Sequence, residues 1–179
     1  MHIETDRLAI VELTMEMARD IHENSLDDDT RKFIPDEVFE TVEEARKTVA
    51  FLMSWYHTPE GPFVYAVQAK GKEACIGYVQ LLLLEDGNRE IGYHIGKAYT
   101  GKGYATEAVS AFLPVIAAQT GSGEIYGICL KENAASCRVL EKCGFETVFE
   151  GRGLYQGEQR EIVKSIWRAS ADRRALYGT

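Results

Sequence analysis

The run Gly-Lys-Gly-Tyr-Ala-Thr-Glu-Ala, from Gly101 to Ala108, places the strongest constraint on how this chain can fold. It stands between a predicted strand, Glu90 to Ile95, and a predicted helix that starts at about Gly103. The unpaired amides in the first turn of a helix carry partial positive charge and bind anions. Glycines at 101 and 103 let this backbone approach a phosphate with no side chain in between. The run therefore predicts a site for a phosphorylated ligand.

Two common nucleotide motifs fit this run poorly. A dinucleotide fingerprint needs a third glycine, where Thr106 stands, and an acidic residue about 20 residues further on. A P-loop ends in Gly-Lys-Ser/Thr, whereas Lys102 lies between the two glycines. The phosphate site is therefore expected to hold another kind of ligand.

A second segment, Asn133 to Phe145, reads Asn-Ala-Ala-Ser-Cys-Arg-Val-Leu-Glu-Lys-Cys-Gly-Phe and follows a predicted strand, Glu124 to Leu130. The glycine run and this segment together resemble the acyl-CoA-binding core of the GNAT acetyltransferase superfamily. The opening, Glu4-Thr-Asp-Arg-Leu-Ala-Ile-Val-Glu-Leu13, is similar to the first strand of the RimJ/RimL branch, which acetylates protein N-termini. The resemblance implies an α/β fold, with helices on both faces of a mixed, mostly antiparallel sheet of six to seven strands that contains a splayed parallel pair.

Composition is that of an ordinary globular protein. The 179 residues are 45% hydrophobic and 27% charged, and we expect one N-acetyltransferase domain at residues 1–170 with a mobile tail at 171–179. The net charge of −8 disfavours nucleic-acid binding. No apolar run approaches the roughly 20 residues that cross a bilayer, and the N-terminus carries no apolar signal segment, so we expect a cytoplasmic protein without membrane contact.

Cysteine and histidine spacing gives no sign of a metal site. The four cysteines lack a Cys-x-x-Cys pair, and no histidines stand at zinc spacing. We therefore expect small buried thiols in a reducing compartment, and no metal.

Hydrophobic patterns and turn residues place the other elements. Strands are predicted at 7–13, 63–69, 75–84, 89–95, 124–130, 145–150 and 161–167, and helices at 15–24, about 41–56, 103–120 and 133–143. Thr41 and Glu44 form a capping box, and Thr14 is a candidate N-cap. The acidic stretch from Ser25 to Thr30 is predicted to be a turn. The strand–helix–strand unit 89–130 predicts a parallel strand pair.

The resemblance also implies which residues hold acetyl-CoA. The pyrophosphate would bind amides of the turn from Thr100 to Ala105, and the pantetheine arm would pair with the backbone of the preceding strand as an added strand does. Asn133 would contact the arm, although it is equally suited to cap the helix after it. The implied contacts are His94, Ile95, Gly101, Lys102, Gly103, Tyr104, Ala105, Asn133 and Ser136.

Catalysis of acetyl transfer to an amine needs a proton acceptor for the amine and a proton donor for the leaving sulfur. Glu90 is the expected base, as it resembles a glutamate that many GNAT members use, and His94 is the alternative. Leu140 replaces the tyrosine that many members carry, and the resemblance to RimL-like enzymes instead implies that Ser136 lies near the sulfur. RimL-like enzymes also have a glutamate in the final hairpin that this chain lacks. Tyr155 and Tyr126 are both candidates to replace it.

These features predict an enzyme that moves acetyl from acetyl-CoA to a primary amine. Direct attack of the amine is expected, since the sequence contains no motif typical of a covalent nucleophile. The expected acceptor is a protein N-terminal amine. A polyamine or aminoglycoside acceptor, a non-catalytic acyl-CoA-binding module and a nucleotide-binding regulator stay open as alternatives. Monomer and homodimer are both compatible with the sequence.

Overall fold

A single mixed sheet of eight strands organises the chain in a computed structural model that describes residues 1–72 and 74–169. The predicted tail, 171–179, lies outside the described residues. The strand order is β1-β2-β3-β4-β5-β6-β8-β7, and every neighbouring pair is antiparallel except β5–β6. The strands are β1 His2–Glu4, β2 Leu8–Glu12, β3 Phe63–Ala69, β4 Cys75–Leu83, β5 Arg89–Ile95, β6 Glu124–Leu130, β7 Glu146–Tyr155 and β8 Glu158–Arg168.

Five α-helices cover the two faces of this sheet. They are α1 Ala18–Ser25, α2 Asp28–Phe33, α3 Val42–Met53, α4 Tyr104–Thr120 and α5 Ala134–Lys142. Buried side chains of α4 and α5 pack with one sheet face, and those of α1 and α3 pack with the other. The predicted α/β fold with helices on both faces is confirmed. The sheet has one strand more than expected because the short β1 pairs with β2.

The parallel pair separates soon after it forms. β5 and β6 share one register position, Glu90 opposite Tyr126, and β5 then continues to Ile95 without a neighbour on that side. The other edge of β5 stays paired with β4 along its whole length. The separation opens a gap in the middle of the sheet, as the predicted splayed pair requires.

Local hydrogen bonding explains where the predicted elements hold and where they do not. The Thr41 capping box is present and starts α3. Thr14 makes no capping bond with its side chain, and a short 3-10 turn, Met15–Met17, precedes α1. The predicted acidic turn is wrong, because Asp27 accepts hydrogen bonds from the amides of Asp29 and Thr30 and thereby starts α2.

The final hairpin is longer than predicted. Its turn lies at Gln156 and Gly157, and β7 pairs with β8 along its whole length, with one irregularity near Val148. Of the four cysteines, Cys75 and Cys129 are buried, and the other two are half-buried.

Candidate active site

A cavity of about 890 Å³ occupies the gap between β5 and β6. One part is lined by the turn before α4 and by the start of α5. The other part is lined by α2, the segment after it and the end of β7. The cavity thus joins the two faces of the sheet at Glu90, which lies where the strands separate.

The turn before α4 has the backbone that its glycines predict. Gly101 and Gly103 take φ angles of 74° and 81°, in the left-handed region where side chains cause strain. Gly103 is the N-cap of α4 and offers no side chain to the first turn, so its amides have no capping acceptor. The turn is exposed and lines the cavity, and therefore suits an anionic group.

Arg7 and Glu107 tie this turn to the start of β2. Arg7 donates through Nη1 to the carbonyl oxygen of Lys102 at 2.9 Å and through Nε to Glu107 at 2.7 Å. Thr5 Oγ1 also donates to Glu107, at 2.6 Å. Burial of the carboxylate opposes the shift, but hydrogen bonds from Thr5 and Arg7 lower the pKa of Glu107. A negative charge in the first turn of α4 thus anchors Arg7 against the glycine turn.

The side chain of Lys102, which is expected beside the phosphates, points back towards the residues that precede it in the same loop. Its Nζ donates to the carbonyl oxygen of Ala98 at 2.8 Å and lies 5.7 Å from the centroid of the Tyr99 ring. A contact between Lys102 and a phosphate would need this exposed side chain to swing away from Ala98, so its role stays a prediction.

The register of β5 decides which backbone groups face the gap. The Gly96 amide donates to Ile76 on the β4 side at 2.9 Å. Because alternate residues of an antiparallel strand exchange hydrogen bonds with the neighbour, the backbone groups of Ile95 and Tyr93 point to the open edge. An extended chain carrying amides could pair there as an added strand. The backbone of His94 points to β4 instead, so its expected pantetheine contact stays untested and Tyr93 is better placed.

At the start of α5, Asn133 and Ser136 are held together. The Asn133 side chain accepts from the Ser136 amide at 3.1 Å, which is the capping role that the sequence allows for it. Its Nδ2 group is not used by that bond. The Ser136 hydroxyl lies 2.8 Å from the hydroxyl of Tyr93, which reaches across from β5. Burial raises the pKa of Tyr93, so its phenol stays protonated at neutral pH.

Glu90 projects from the opposite face of β5. Burial raises the pKa of its carboxyl group to about 7, and the charge of Lys164 opposes the shift. Within the described part of the chain, Glu90 makes no hydrogen bond or ion pair. A carboxylate that titrates near neutrality with both oxygens unused is suited to accept a proton from an incoming group.

His94, the alternative base, belongs to a hydrogen-bonded chain that starts at α2. Thr30 Oγ1 donates to Asp27 at 2.7 Å, so it accepts from His94 Nε2 at 2.9 Å. This arrangement makes Nε2 the protonated nitrogen and leaves Nδ1 as the acceptor. Burial lowers the pKa of His94, although the charge of Asp27 acts against it. Any titration of His94 therefore lies on the acid side of its ordinary range.

The two tyrosines considered as replacements for the missing glutamate are placed differently. The Tyr155 hydroxyl donates to the carbonyl oxygen of Phe33 at 3.0 Å, and burial raises its pKa to about 12, with the nearby charges of Glu90 and Glu37 adding to the shift. This bond joins the final hairpin to the end of α2. Tyr126 packs under Lys164, whose Nζ lies 4.3 Å from the ring centroid.

The sequence analysis missed several residues that line this cavity, and Tyr93 and Glu37 are the two that matter most for its chemistry. The hydroxyl of Tyr93 was missed because its strand was considered only for its backbone, although period-two alternation puts Tyr93 on the face opposite Glu90. Glu37 was missed because no periodic pattern marks its segment. Residues 1–72 and 74–169 contain no group of three His, Cys, Asp or Glu side chains that could hold a metal ion. No helix in these ranges is long and apolar enough to cross a membrane.

Known proteins share this sequence pattern and architecture. Residues 7–146 match the family described as "Acetyltransferase (GNAT) domain". An uncharacterized N-acetyltransferase of Bacillus subtilis, YnaD, is 30% identical over 145 residues, which cover 80% of this chain and 82% of that protein. A GNAT-family acetyltransferase from Bacillus anthracis superposes with a TM-score of 0.80 and 26% identity, covering 94% of this chain and 98% of the other. RimL, a ribosomal L7/L12 alpha-N-protein acetyltransferase solved with coenzyme A, shares the fold with a TM-score of 0.79 and 16% identity, covering 94% and 98% of the two chains.

Proposed function

The chain belongs to the GNAT acetyltransferase family, and from that premise we propose that it transfers acetyl from acetyl-CoA to a primary amine by direct attack in a ternary complex, with a protein N-terminal amine as the acceptor. The observation that carries this proposal is the position of Glu90, a half-buried carboxyl group at the junction of the two halves of the cavity, with its pKa raised to about 7. The similarity of fold to RimL, named for N-terminal acetylation, motivates the choice of acceptor.

Three features fit the binding of acetyl-CoA, which supplies the acetyl group as a thioester. The turn with Gly101 and Gly103 offers unpaired amides of α4 to a pyrophosphate. The open edge of β5 offers the backbone of Tyr93 and Ile95 to the amides of the pantetheine arm. The cavity is continuous from these groups to Glu90. In this arrangement the acyl-CoA half lies on the α4–α5 side, and the acceptor approaches from the α2 side.

On the acceptor side, Glu90 removes a proton from the amine. An α-amino group titrates at about 7.7 to 8.0, so a carboxylate with a raised pKa is a matched acceptor for its proton, directly or through one water. The neutral nitrogen then forms the bond to the carbonyl carbon as the carbon–sulfur bond breaks, and it loses its second proton to the Glu90 carboxylate, which has passed the first proton to water. The backbone amide of Ile95, at the open edge, is placed to hydrogen-bond the carbonyl oxygen.

On the other side, Tyr93 and Ser136 hold a proton for the leaving sulfur. The Tyr93 hydroxyl lies 3.1 Å from the carbonyl oxygen of Ser136, to which it donates, and 2.8 Å from the Ser136 hydroxyl. When the Tyr93 proton turns to the Ser136 oxygen, the serine proton is free to pass to the sulfur. The pair is then one proton short, and because burial raises the pKa of the Tyr93 phenol, it takes that proton back from water after each turnover. This pair takes the place of the tyrosine that the sequence lacks at Leu140.

The test is release of free thiol from acetyl-CoA with peptides that have a free N-terminus, set against the same peptides blocked by acetylation. We expect release with the free peptides only. We expect Glu90→Gln to lower kcat by about 10²- to 10⁴-fold, with the Kd for CoA unchanged. Glu85→Gln, an exposed change in the β4–β5 turn, is the control. Full turnover in Glu90→Gln would remove Glu90 from the mechanism.

The pH profile separates the two candidate bases. If Glu90 is the base, activity falls as the pH drops below about 7, because its carboxylate becomes protonated. If His94 is the base, the loss occurs at lower pH, since its pKa is lowered from 6.5. A melting-temperature rise with CoA but not with ATP or NAD, without thiol release from any amine, would instead identify a non-catalytic acyl-CoA-binding module.

A further inference from the structure

A second acid, the half-buried Glu37, lines the acceptor half of the cavity. It ends the short 3-10 turn Pro35–Glu37, directly after α2. Burial raises the pKa of its carboxyl group to about 7, against the effect of a hydrogen bond from Gln80. That bond, from Gln80 Nε2 to Oε1 at 3.0 Å, is the only hydrogen bond to the Glu37 carboxylate among the described residues. A half-buried carboxyl group that has one protein partner and lines a cavity is free to bind a group of a ligand.

The sheet is shaped to hold Gln80 in this position. Gly92 of β5 lies opposite Gln80 of β4, between Glu90 and His94 on the same face. A β-carbon at Gly92 would lie 2.5 Å from Gln80 Nε2 and 2.7 Å from its Cγ, so any larger residue would displace the amide. The glutamine side chain can therefore lie across β5 and hold Glu37 over the face of β5 from which Glu90 also projects, in the same cavity.

The surroundings of this pair of acids favour a cation. Glu37, Glu90 and Tyr155 line the same cavity, and the charges of both acids raise the pKa of Tyr155. No lysine or arginine forms an ion pair with Glu37 within the described residues, and its Oε2 has no protein donor there. The neighbouring acids Asp27 and Asp29 are already used, by the α2 cap and by Lys97. An incoming ammonium group would satisfy a carboxylate that the protein leaves nearly unpaired.

We propose that Glu37 is a specificity-determining residue that binds a second positively charged group of the acceptor, a few bonds from the amine that Glu90 deprotonates. This inference rests on the proposed amine acetylation. It predicts that the preferred acceptors of the enzyme carry two positive charges. The second charge can come from a free diamine or from a basic side chain near a peptide N-terminus. Both present the same ammonium chemistry to Glu37.

The experiment compares matched acceptors that differ in this charge alone. One pair is a straight-chain diamine and the monoamine of the same length, tested over several lengths. The other is a peptide with lysine as its second residue and the same peptide with norleucine there. We expect kcat/KM to favour the dication by about tenfold or more in at least one pair, because a charge-assisted hydrogen bond is gained. Which pair responds identifies the source of the second charge.

Two variants make the comparison specific. Glu37→Gln keeps the shape of the side chain and is expected to bring the ratio of the two kcat/KM values close to one. Asp36→Asn removes the same charge from the neighbouring exposed residue and is expected to leave the ratio unchanged. Gly92→Ala, which displaces Gln80, is expected to lower the ratio without removing a charge.

The outcomes separate this inference from the proposed function. Acetylation of monoamines without any preference for dications, or a preference that survives Glu37→Gln, overturns the role of Glu37 and leaves amine acetylation intact. If no amine is acetylated, the proposed function fails. Calorimetric binding of the same acceptor pairs in the presence of CoA then decides the inference: tighter dication binding that is lost in Glu37→Gln supports it, and equal binding overturns it.

Discussion

The side chains of Tyr93 and Glu90 project from opposite faces of β5 into the two halves of the cavity. Alternation along β5 sends Glu90 towards α2 and Tyr93 towards α5. In the proposed mechanism, the two side chains therefore serve opposite ends of the reaction, the incoming amine and the leaving sulfur. A single strand can hold both only because its neighbour β6 departs after Glu90 and opens the sheet between them.

The hydroxyl pair of Tyr93 and Ser136 predicts non-additive kinetics. Because each hydroxyl depends on the other to pass a proton, we expect Tyr93→Phe and Ser136→Ala each to lower kcat by about tenfold or more, and the double variant to be no slower than the slower single one. The measurement is a double-mutant cycle on kcat, with Ser54→Ala at the end of α3 as a distant serine control. Fully additive losses would show that the two hydroxyls act separately.

Among the elements of the fold, the turn before α4 is the predicted phosphate site, and its backbone conformation sets its shape. The left-handed glycines set the path of the turn, and the Arg7–Glu107 contact fixes it to β2. Pro114 lies inside α4, where it removes one backbone donor, but the helix is continuous from Tyr104 to Thr120. The N-terminal end of α4, which lines the cavity, is thus held by contacts with residues outside the helix.

Two glycines at opposite ends of α4 provide a matched test of this turn. Gly103 and Gly121 have φ angles of 81° and 69°, and neither has a neighbour that would clash severely with a β-carbon. Alanine at either position should therefore destabilise the fold by about 1–2 kcal/mol. Only Gly103→Ala should also weaken CoA binding, as measured by titration calorimetry. Equal Kd values for the two variants would exclude the turn as the phosphate site.

For the whole molecule, the gap in the sheet lowers the free energy of unfolding at neutral and high pH. The gap between β5 and β6 holds two buried carboxyl groups, Glu37 and Glu90, each with its pKa raised to about 7. A free glutamate titrates at about 4.3, so between that value and about 7 the folded state binds more protons than the unfolded state. Stability from these groups is therefore present at low pH and is lost as the pH rises through about 7.

The variants Glu37→Gln and Glu90→Gln should consequently be more stable than the wild-type protein at high pH. We expect the gain in free energy of unfolding to be small near pH 4 and to reach about 1–3 kcal/mol near pH 8, since a neutral amide avoids the burial of charge. Urea unfolding across this range is the measurement, with exposed Glu85→Gln as the control. A gain that is the same at all pH values would show that neither acid titrates in the folded protein.

Local sequence signals predicted the elements that local hydrogen bonds build. Thr41 and Glu44 form the expected capping box, and the turn at Gln156 and Gly157 closes the last hairpin. The same kind of signal was overlooked at Asp27, where three successive acids suggested a turn, although the first of them caps α2. The sequence also contains no local sign that His2–Glu4 forms a strand, because that strand exists only through pairing with β2.

By itself the sequence determined the fold class and the glycine turn before α4, because these depend on backbone conformation and on periods within single elements. Only the tertiary structure decided how the side chains meet. Tyr93 reaches Ser136, Thr30 orients His94, and Gln80 crosses Gly92 to Glu37, each between residues far apart in the chain. The raised pKa of Glu90 likewise comes from burial in the gap, which forms only when β5 and β6 pair and separate within the assembled sheet.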